Sequence, residues 1–504
     1  MERNVRGQDA KGGDGAQAVE LGQYVIVSDV AIVKTRLDPV VVYGAALVIA
    51  VTWPFFVPGE AFALRDMVVF DQMALTRASL GYGDLPARNV PQDALLGILP
   101  HPVLALRVIM VAAAVAAATS AYRLGRTRLG QAAAMTVILW NPFVVERLLQ
   151  GHWSVVAAAW LLPAVAMAAP PVATLSHWLA SLTPTGAVAA ALFARGKRGA
   201  LVTAMTCAPW VVAGAVGAAG GAAESTGSAA SAAAFAPRAE TFAGTLGALM
   251  GLGGIWNAEA VPASRHAGFA VFGVVLLPVL AAGWRAVPRR WLAAAALGFA
   301  VPLASWAGLL TPLIEHVPGG GLLRDAHKFL ILTLPALTAA AGALNAKLAG
   351  AALALAILQV PDAPLALAQL SPTAVTVPPV DHRGRDVFIP GHATLEVVGG
   401  RPVVSPAPKA MNVVEQGALV VDGVVVDEPS PRWVAAQRAY EAGDLGALRE
   451  LGVGLVLADA APIDTGAPAR GWPWLGVWAF CVWCAVPVVG CVDKQCARRH
   501  TFKL

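Results

Sequence analysis

Charge is what this chain has least of. Of its 504 residues only 13% are Asp, Glu, Lys or Arg, while 57% are hydrophobic; a soluble domain carries about 25% charged residues. So few charges cannot cover a water-soluble surface of this size. Cysteine is scarce too, with five in all: Cys207, Cys481, Cys484, Cys491 and Cys496. Cys481 and Cys484 form a CxxC inside the last apolar run, with no second pair and no nearby His, so they read as small residues at a helix interface rather than a metal or redox centre. The formal charge of +5 falls in short basic clusters between apolar runs. That distribution argues against a nucleic-acid surface and matches membrane topology. A Gly-rich loop opening a phosphate-binding helix is also missing, as is a dinucleotide-binding domain, which argues against a nucleotide-sugar substrate. No fixed-period repeat points to an inverted-repeat transporter.

Long apolar runs are what the chain has instead. A bilayer crossing needs about 20 apolar residues, and ten runs approach this: 38–58, 103–122, 130–149, 153–170, 199–219, 266–284, 290–311, 329–345, 347–361 and 473–492. The segment 172–194 differs, because Thr183-Pro184-Thr185-Gly186 splits it into two pieces too short to cross. Proline and glycine break a helix, and bare backbone at membrane depth needs protein or water beside it. It reads as a re-entrant pair returning to the side it left. With that choice, Arg123/Arg126/Arg128, Arg195/Lys197/Arg198, Arg285/Arg289/Arg290, Lys347 and the basic C-terminal tail fall on one side, and the acid-rich loop 59–102 on the other. The positive-inside rule then predicts a multi-pass plasma-membrane protein with both termini cytoplasmic.

The expected fold is thus an all-α polytopic membrane protein of about ten transmembrane helices plus a re-entrant pair, with a small α+β extracytoplasmic module. Residues 1–36, polar and Gly-rich without an apolar core, are expected to be a disordered cytoplasmic tail. The transmembrane domain covers 37–361. The module covers 362–471, with strand-like runs at 419–421 and 424–426, a helix over Arg432–Leu451 and a buried strand at 455–457. The last membrane helix and cytoplasmic tail occupy 472–504. The Ala/Gly/Ser-rich stretch 221–236 reads as a flexible outer loop.

Three outer-face constellations carry residues suited to chemistry. The loop after the first run holds Arg65-Asp66, Asp71 and Asp84; a carboxylate just outside the bilayer suits a general base toward a sugar hydroxyl, the plain alternative being a solvated acid or helix cap. The turn 141–154 holds Glu146, Arg147, His152 and Trp153, where Glu146 and Arg147 could simply pair and Trp153 could anchor at the interface. The stretch 319–329 sets three glycines before Arg324, Asp325, His327 and Lys328, a group suited to gripping a phosphate. The alternative there is a plain helix start with Asp325 near its N-terminus, but cations at that position oppose the helix dipole. A divalent metal would need a carboxylate cluster, for which Asp66 with Asp71 or Asp84 is the available set.

These stretches together resemble the lipid-linked-sugar-dependent membrane glycosyltransferases of the GT-C superfamily, in particular actinobacterial members that build cell-envelope glycans. RDAHKF at 324–329 resembles the Arg-Asn/Asp-x-x-Lys-Phe element of the large mycobacterial α-(1→3)-arabinofuranosyltransferases. NPFVVERLLQGHWS at 141–154, SLTPTG at 181–186 and ALRELGVGLVL at 447–457 are similar to elements of related membrane proteins. The resemblance implies a polyprenyl-phosphate sugar donor, of arabinofuranose or mannose, and an envelope glycan or glycolipid acceptor on the outer face. It implies Asp66 as base and Arg324, Lys328 and His327 around the donor phosphate. Two other classes stay open: a scaffold for envelope assembly acting through 362–471, and a transporter or flippase of lipid-linked intermediates, which a broken helix near Pro184 would suit.

Overall fold

Proline, asparagine and threonine set the breaks between helices in this chain. In the computed structural model, which describes residues 38–219, 227–317, 319–421, 423–458 and 461–490, the first helices are α1 (Pro39–Thr52), α2 (Gln92–Ile98), α3 (Pro102–Leu124), α4 (Arg128–Leu139), α5 (Pro142–Leu149), α6 (Trp153–Met167), α7 (Pro170–Ala180), α8 (Pro184–Phe193) and α9 (Gly196–Ala219). Proline stands at the first turn of α3, α5, α7 and α8, where its missing N–H is no loss. Asn141 shows how a break is tolerated in an apolar interior. Its Nδ2 donates to the carbonyls of Val137 and Ile138 at the end of α4, and its Oδ1 accepts from Val144 N in α5. Helix ends that would otherwise be unsatisfied are thereby paired.

Among the described residues, six helices are long and apolar enough to cross a membrane: Pro39–Phe56, Pro102–Leu124, Arg128–Leu149, Gly196–Gly217, Ala326–Ala343 and Ala346–Leu370. The expected count of ten is corrected by this. Three of the other four runs form the shorter helices Trp153–Met167, Ala270–Ala281 and Trp474–Gly490. The fourth forms Arg289–Trp306, in which Arg289 and Arg290 occupy the first turn and lower the hydropathy. The run 266–284 is shortened at its start by Gly268, at φ 94°.

The pair α7–α8 contains 11 and 10 residues. Thr183 caps α8 by accepting from Gly186 N. Arg195, just past α8, donates to Ala166 O at the end of α6 (3.0 Å), so the pair starts and finishes beside the same helix end. Its tip meets α2, where Gln92 N donates to Leu182 O (3.1 Å).

The loop 59–102 is more ordered than its polar sequence suggests. Strands β1 (Ala61–Leu64) and β2 (Met67–Phe70) form an antiparallel hairpin whose strands are buried along their whole length. The remaining strands follow residue 371. β3 (Asp386–Phe388) pairs parallel with β8 (Val453–Leu457), which pairs antiparallel with β9 (Pro462–Asp464). β4 (Leu395–Val398) with β5 (Arg401–Val404), and β6 (Leu419–Val421) with β7 (Val424–Asp427), are separate hairpins. The helix expected over Arg432–Leu451 is two helices, Pro431–Glu441 and Leu445–Glu450, parted at Gly443 with φ 68°. Asp444 then caps the second by accepting from Ala447 N. This segment is tied to the loop 59–102 at several points: Arg65 N donates to Pro402 O and Val404 N to Arg65 O, and Lys409 Nζ pairs with Asp93 at 2.9 Å. The tails 1–36 and 491–504 and most of the glycine-rich stretch at 221–226 lie outside the described residues; 229–234 form a short helix.

α3, with 23 residues, spans about 35 Å at ~1.5 Å per residue. Its first turn meets the hairpin, because Asp71 Oδ1 accepts from Val103 N. Beyond its far end lies the turn in which Arg126 N donates to Gly342 O. The basic turn at 123–128 is therefore at the opposite end of the helices from the β1–β2 hairpin.

Candidate active site

The site is assembled by the two-residue turn of the β1–β2 hairpin. Arg65 sits there at φ 50°, a conformation that costs a non-glycine residue on the order of 1 kcal/mol. It is held by its backbone bonds to Pro402 and Val404 and by guanidinium bonds to Leu149 O (2.6 Å) and Glu259 O (2.8 Å). This anchoring presents Asp66 next to the α5–α6 turn. Asp66 N donates to Gln150 O. Asp66 Oδ2 accepts from Gln150 Nε2 and faces His152 Nε2, both at 2.9 Å. Oδ1 has no hydrogen-bond partner among the described residues, and the side chain is 39% exposed. Burial alone pushes the Asp66 carboxyl up; the His152 and Gln150 hydrogen bonds and the Arg88 charge outweigh it, and the carboxyl lies below its ordinary value.

Gly151 makes this approach possible. It has φ 91°, and a Cβ there would fall 2.2 Å from Met67 N and 2.6 Å from Leu64 O. No side chain fits between the hairpin turn and the helix turn.

Behind Asp66 lies Arg147, fully buried. Its guanidinium grips Asp325 with both terminal nitrogens, Nη2 at 2.8 Å from Oδ1 and Nη1 on Oδ2. Nη1 also meets His152 Nδ1 at 3.0 Å, and Nη2 meets His327 Nδ1 at 2.7 Å. A guanidinium only donates, so both Nδ1 atoms are acceptors and each ring carries its proton on Nε2. His152 therefore donates to Asp66, and His327 donates to Gly253 O (3.1 Å). Burial would raise the Asp325 pKa, but Arg147, followed by Lys328, holds it far below the usual carboxylate range. The local alternative of a Glu146–Arg147 pair does not form: Glu146 instead accepts from Ile255 N (3.0 Å) and lies 3.9 Å from His327 Nε2. Trp153 is buried at the start of α6 rather than placed at an interface.

Cations gather on the other flank. Arg324 Nη1 contacts Asp427 Oδ1 at 2.5 Å and donates to Ser231 Oγ, and its guanidinium lies 4.2 Å from the Phe235 ring centroid. Arg88 Nη2 lies 3.4 Å from Asp427 Oδ2. The charge of Arg88 reaches Asp66, Arg324 and Lys328. Lys328 makes no side-chain hydrogen bond among the described residues. It follows Arg324 and Asp325 at the start of a 3₁₀ helix over Ala326–Thr333. Next to it, Phe329, Leu322 and Leu332 face Pro184, Val188 and Ala189 of α8 across a shallow apolar groove of about 40 Å³.

Two sequence candidates lie elsewhere. Asp71 caps α3 through Val103 N. Asp84 pairs with Arg432 (3.2 Å) and accepts from Glu415 N. Asp66, Asp71 and Asp84 are thus held by three different sets of partners, and no group of three or more His, Cys, Asp or Glu side chains suited to a metal ion occurs among the described residues. The structure brings Asp66, Arg65, Arg147, His152, Asp325 and His327 into one network, with Glu146 below and Arg324 and Lys328 beside it. Sequence reasoning passed over Gln150, Arg88, Asn257, Glu240 and Arg265. Asn257 Nδ2 donates to Gln150 Oε1 (2.8 Å), and the buried Arg265–Glu240 pair underlies Gly253 and Gly254. Only Gln150 and Gly151, inside the 141–154 stretch, had a local signal.

The chain matches no protein-family model, no curated protein and no solved structure.

Proposed function

We propose that this chain is a membrane glycosyltransferase moving a sugar, arabinofuranose or mannose, from a polyprenyl-phosphate donor to an envelope glycan or glycolipid. The observation that carries the reading is Asp66: a part-exposed carboxylate with Oδ2 held by His152 and Gln150 and Oδ1 without a hydrogen-bond partner among the described residues, within reach of the Arg88 charge, which in turn reaches Arg324 and Lys328. In the reaction, Oδ1 takes the proton of the acceptor hydroxyl as its oxygen bonds to the anomeric carbon. The bond from that carbon to the phosphate oxygen breaks, and polyprenyl phosphate leaves with the electron pair. The charge that develops on the phosphate is met by Lys328 and Arg324. The groove between α8 and residues 322–332 offers an apolar path for the prenyl chain next to Lys328.

On this reading the active end faces the extracytoplasmic side of the plasma membrane, with both termini cytoplasmic. Support for this orientation is the basic turn 123–128 at the end of α3 remote from Asp66. A transporter reading draws less support, since the break at 181–183 abuts Gln92 of α2 and not a mid-bundle ion site.

The test is transfer from polyprenyl-phosphate arabinofuranose and from polyprenyl-phosphate mannose by the protein in nanodiscs. Asp66→Asn should remove release of polyprenyl phosphate while the yield of folded protein is unchanged. Full release by Asp66→Asn would remove the mechanism.

A further inference from the structure

Asp427 closes β7 and reaches across to the cation cluster from a part of the chain remote from it in sequence. Its two oxygens each meet a different guanidinium, Oδ1 that of Arg324 (2.5 Å) and Oδ2 that of Arg88 (3.4 Å). Arg324 is fixed from behind by the Phe235 ring and Ser231, and the segment carrying these is joined to β7, because Ser228 Oγ donates to Val426 O (3.4 Å). Lys328 stands within reach of both arginine charges and of the Asp325 carboxylate, and its side chain makes no hydrogen bond among the described residues. One anionic group therefore bridges two guanidiniums, and the third cation beside them, Lys328, faces only Asp325, which Arg147 already grips with both terminal nitrogens.

That is more than a carboxylate needs and what a phosphate takes. A phosphodiester has one negative charge and two non-bridging oxygens, the same inventory as a carboxylate. The monoester released after transfer carries a further charge and a third oxygen, for which Lys328 is available.

We propose that Asp427 is a resident competitor for the donor phosphate: it occupies the position between Arg88 and Arg324, donor binding displaces it, and its return helps expel polyprenyl phosphate. This rests on the glycosyltransferase reading and deepens it by assigning Arg88 and Asp427 to the phosphate subsite. No bond to Asp427 forms or breaks; the exchange is one ion pair for another. If Asp427 holds the site closed, the open form is a minor state, about 10% or less. Removing the carboxylate then strengthens phosphate binding by about tenfold or more, because the apparent Kd scales inversely with the competent fraction.

The experiment measures binding of farnesyl phosphate to the full chain in nanodiscs, with inorganic phosphate as the second probe and no transfer step involved. Asp427→Asn, nearly isosteric, should tighten farnesyl phosphate about tenfold or more, with Asp427→Ala as the second variant should the first not fold. In an Arg324→Ala background the same change should have a smaller effect, since only the Arg88 contact is then contested. Farnesyl phosphate should bind much more tightly than inorganic phosphate, and equal binding would overturn the lipid assignment. If Asp427→Asn and Asp427→Ala leave affinity unchanged or weaken it, while Arg324→Ala weakens it, Asp427 is a structural tie and the inference fails with the phosphate site intact. If Arg324→Ala and Lys328→Ala bind as the parent does, the phosphate reading itself fails, and this inference with it.

Discussion

Asp66 and His152 approach to 2.9 Å across a junction where only glycine fits. Asp66 belongs to a hairpin turn and His152 to the turn before α6; Gly151 lies between them, with no room for a Cβ. The catalytic reading depends on this junction, because it sets which carboxylate oxygen is occupied and which is open.

Replacing Gly151 tests the junction. Gly151→Ala adds a methyl 2.2 Å from Met67 N at a residue with φ 91°, and alanine is strained at positive φ, so the change should cost more than about 1 kcal/mol. The apparent Tm in detergent should fall, and transfer should fall further than the loss of folded protein accounts for. Normal Tm and normal transfer would mean that the turns are not held together.

Asp66 should set the acid limit of the reaction. Its folded pKa is depressed, with the His152 and Gln150 hydrogen bonds outweighing burial, so the carboxylate persists through the neutral range and the stability linked to it is lost only as pH falls through the folded value. The rate should therefore show no loss assignable to Asp66 until pH drops below about 4, the ordinary Asp value. The pH profile of transfer checks this; an acid limb near 6 would assign the base to another group.

Arg147 should be the most costly residue of the network to remove. It is fully buried, and its loss would strand the Asp325 carboxylate and the Nδ1 atoms of His152 and His327. Breaking such a pair costs about 3–5 kcal/mol. In a double-mutant cycle with Asp325→Ala the two losses should be less than additive, because either change alone strands the partner. Additive losses in apparent Tm would contradict the pairing.

Glu415 provides a second pH test, away from the site. Burial, then the Asp84 carboxylate, pushes its carboxyl up to about 7, with Asp93 adding to this and Arg88 opposing it. A raised carboxyl favours the protonated native form, so its contribution is complete below the unfolded value and is lost as pH rises through about 7. Glu415→Gln and the parent should melt alike at pH 5, and the variant should melt higher at pH 8. No divergence between the two curves would show that Glu415 is not held neutral.

The re-entrant pair can be tested by labelling. Arg195 bonds to the end of α6, so single cysteines replacing Lys197 and Arg126, both exposed, in a background without native cysteines should react from the same side of the membrane. Reaction from opposite sides would mean that 172–194 crosses.

Much of the fold was legible in the sequence because length and hydropathy are local. Pro39–Phe56 and Pro102–Leu124 announce themselves over 18 and 23 residues. Trp153–Met167 and Arg289–Trp306 misled, since apolar composition does not reveal where proline, glycine and arginine shorten or dilute a helix. The β1–β2 hairpin was not legible: Ala61–Leu64 and Met67–Phe70 are buried on both faces, so neither shows the alternation that marks a half-buried strand. The site was partly legible. Asp66, His152 and Arg324 lie in short stretches that invite attention, whereas the partners that fix or divert acids come from far along the chain. Asp71 bonds 32 residues away, Asp84 to Arg432 at 348 residues, and Arg147 to Asp325 at 178 residues. Sequence spacing carries no signal for pairs of that kind.

The most direct measurement of the central claim is a structure of the protein in nanodiscs with a short-chain polyprenyl-phosphate sugar. The account predicts phosphate density among Arg88, Arg324 and Lys328, the prenyl chain in the groove against Pro184 and Phe329, and the anomeric carbon facing Asp66 Oδ1. A donor bound with its phosphate remote from these cations, or its sugar turned away from Asp66, would contradict it.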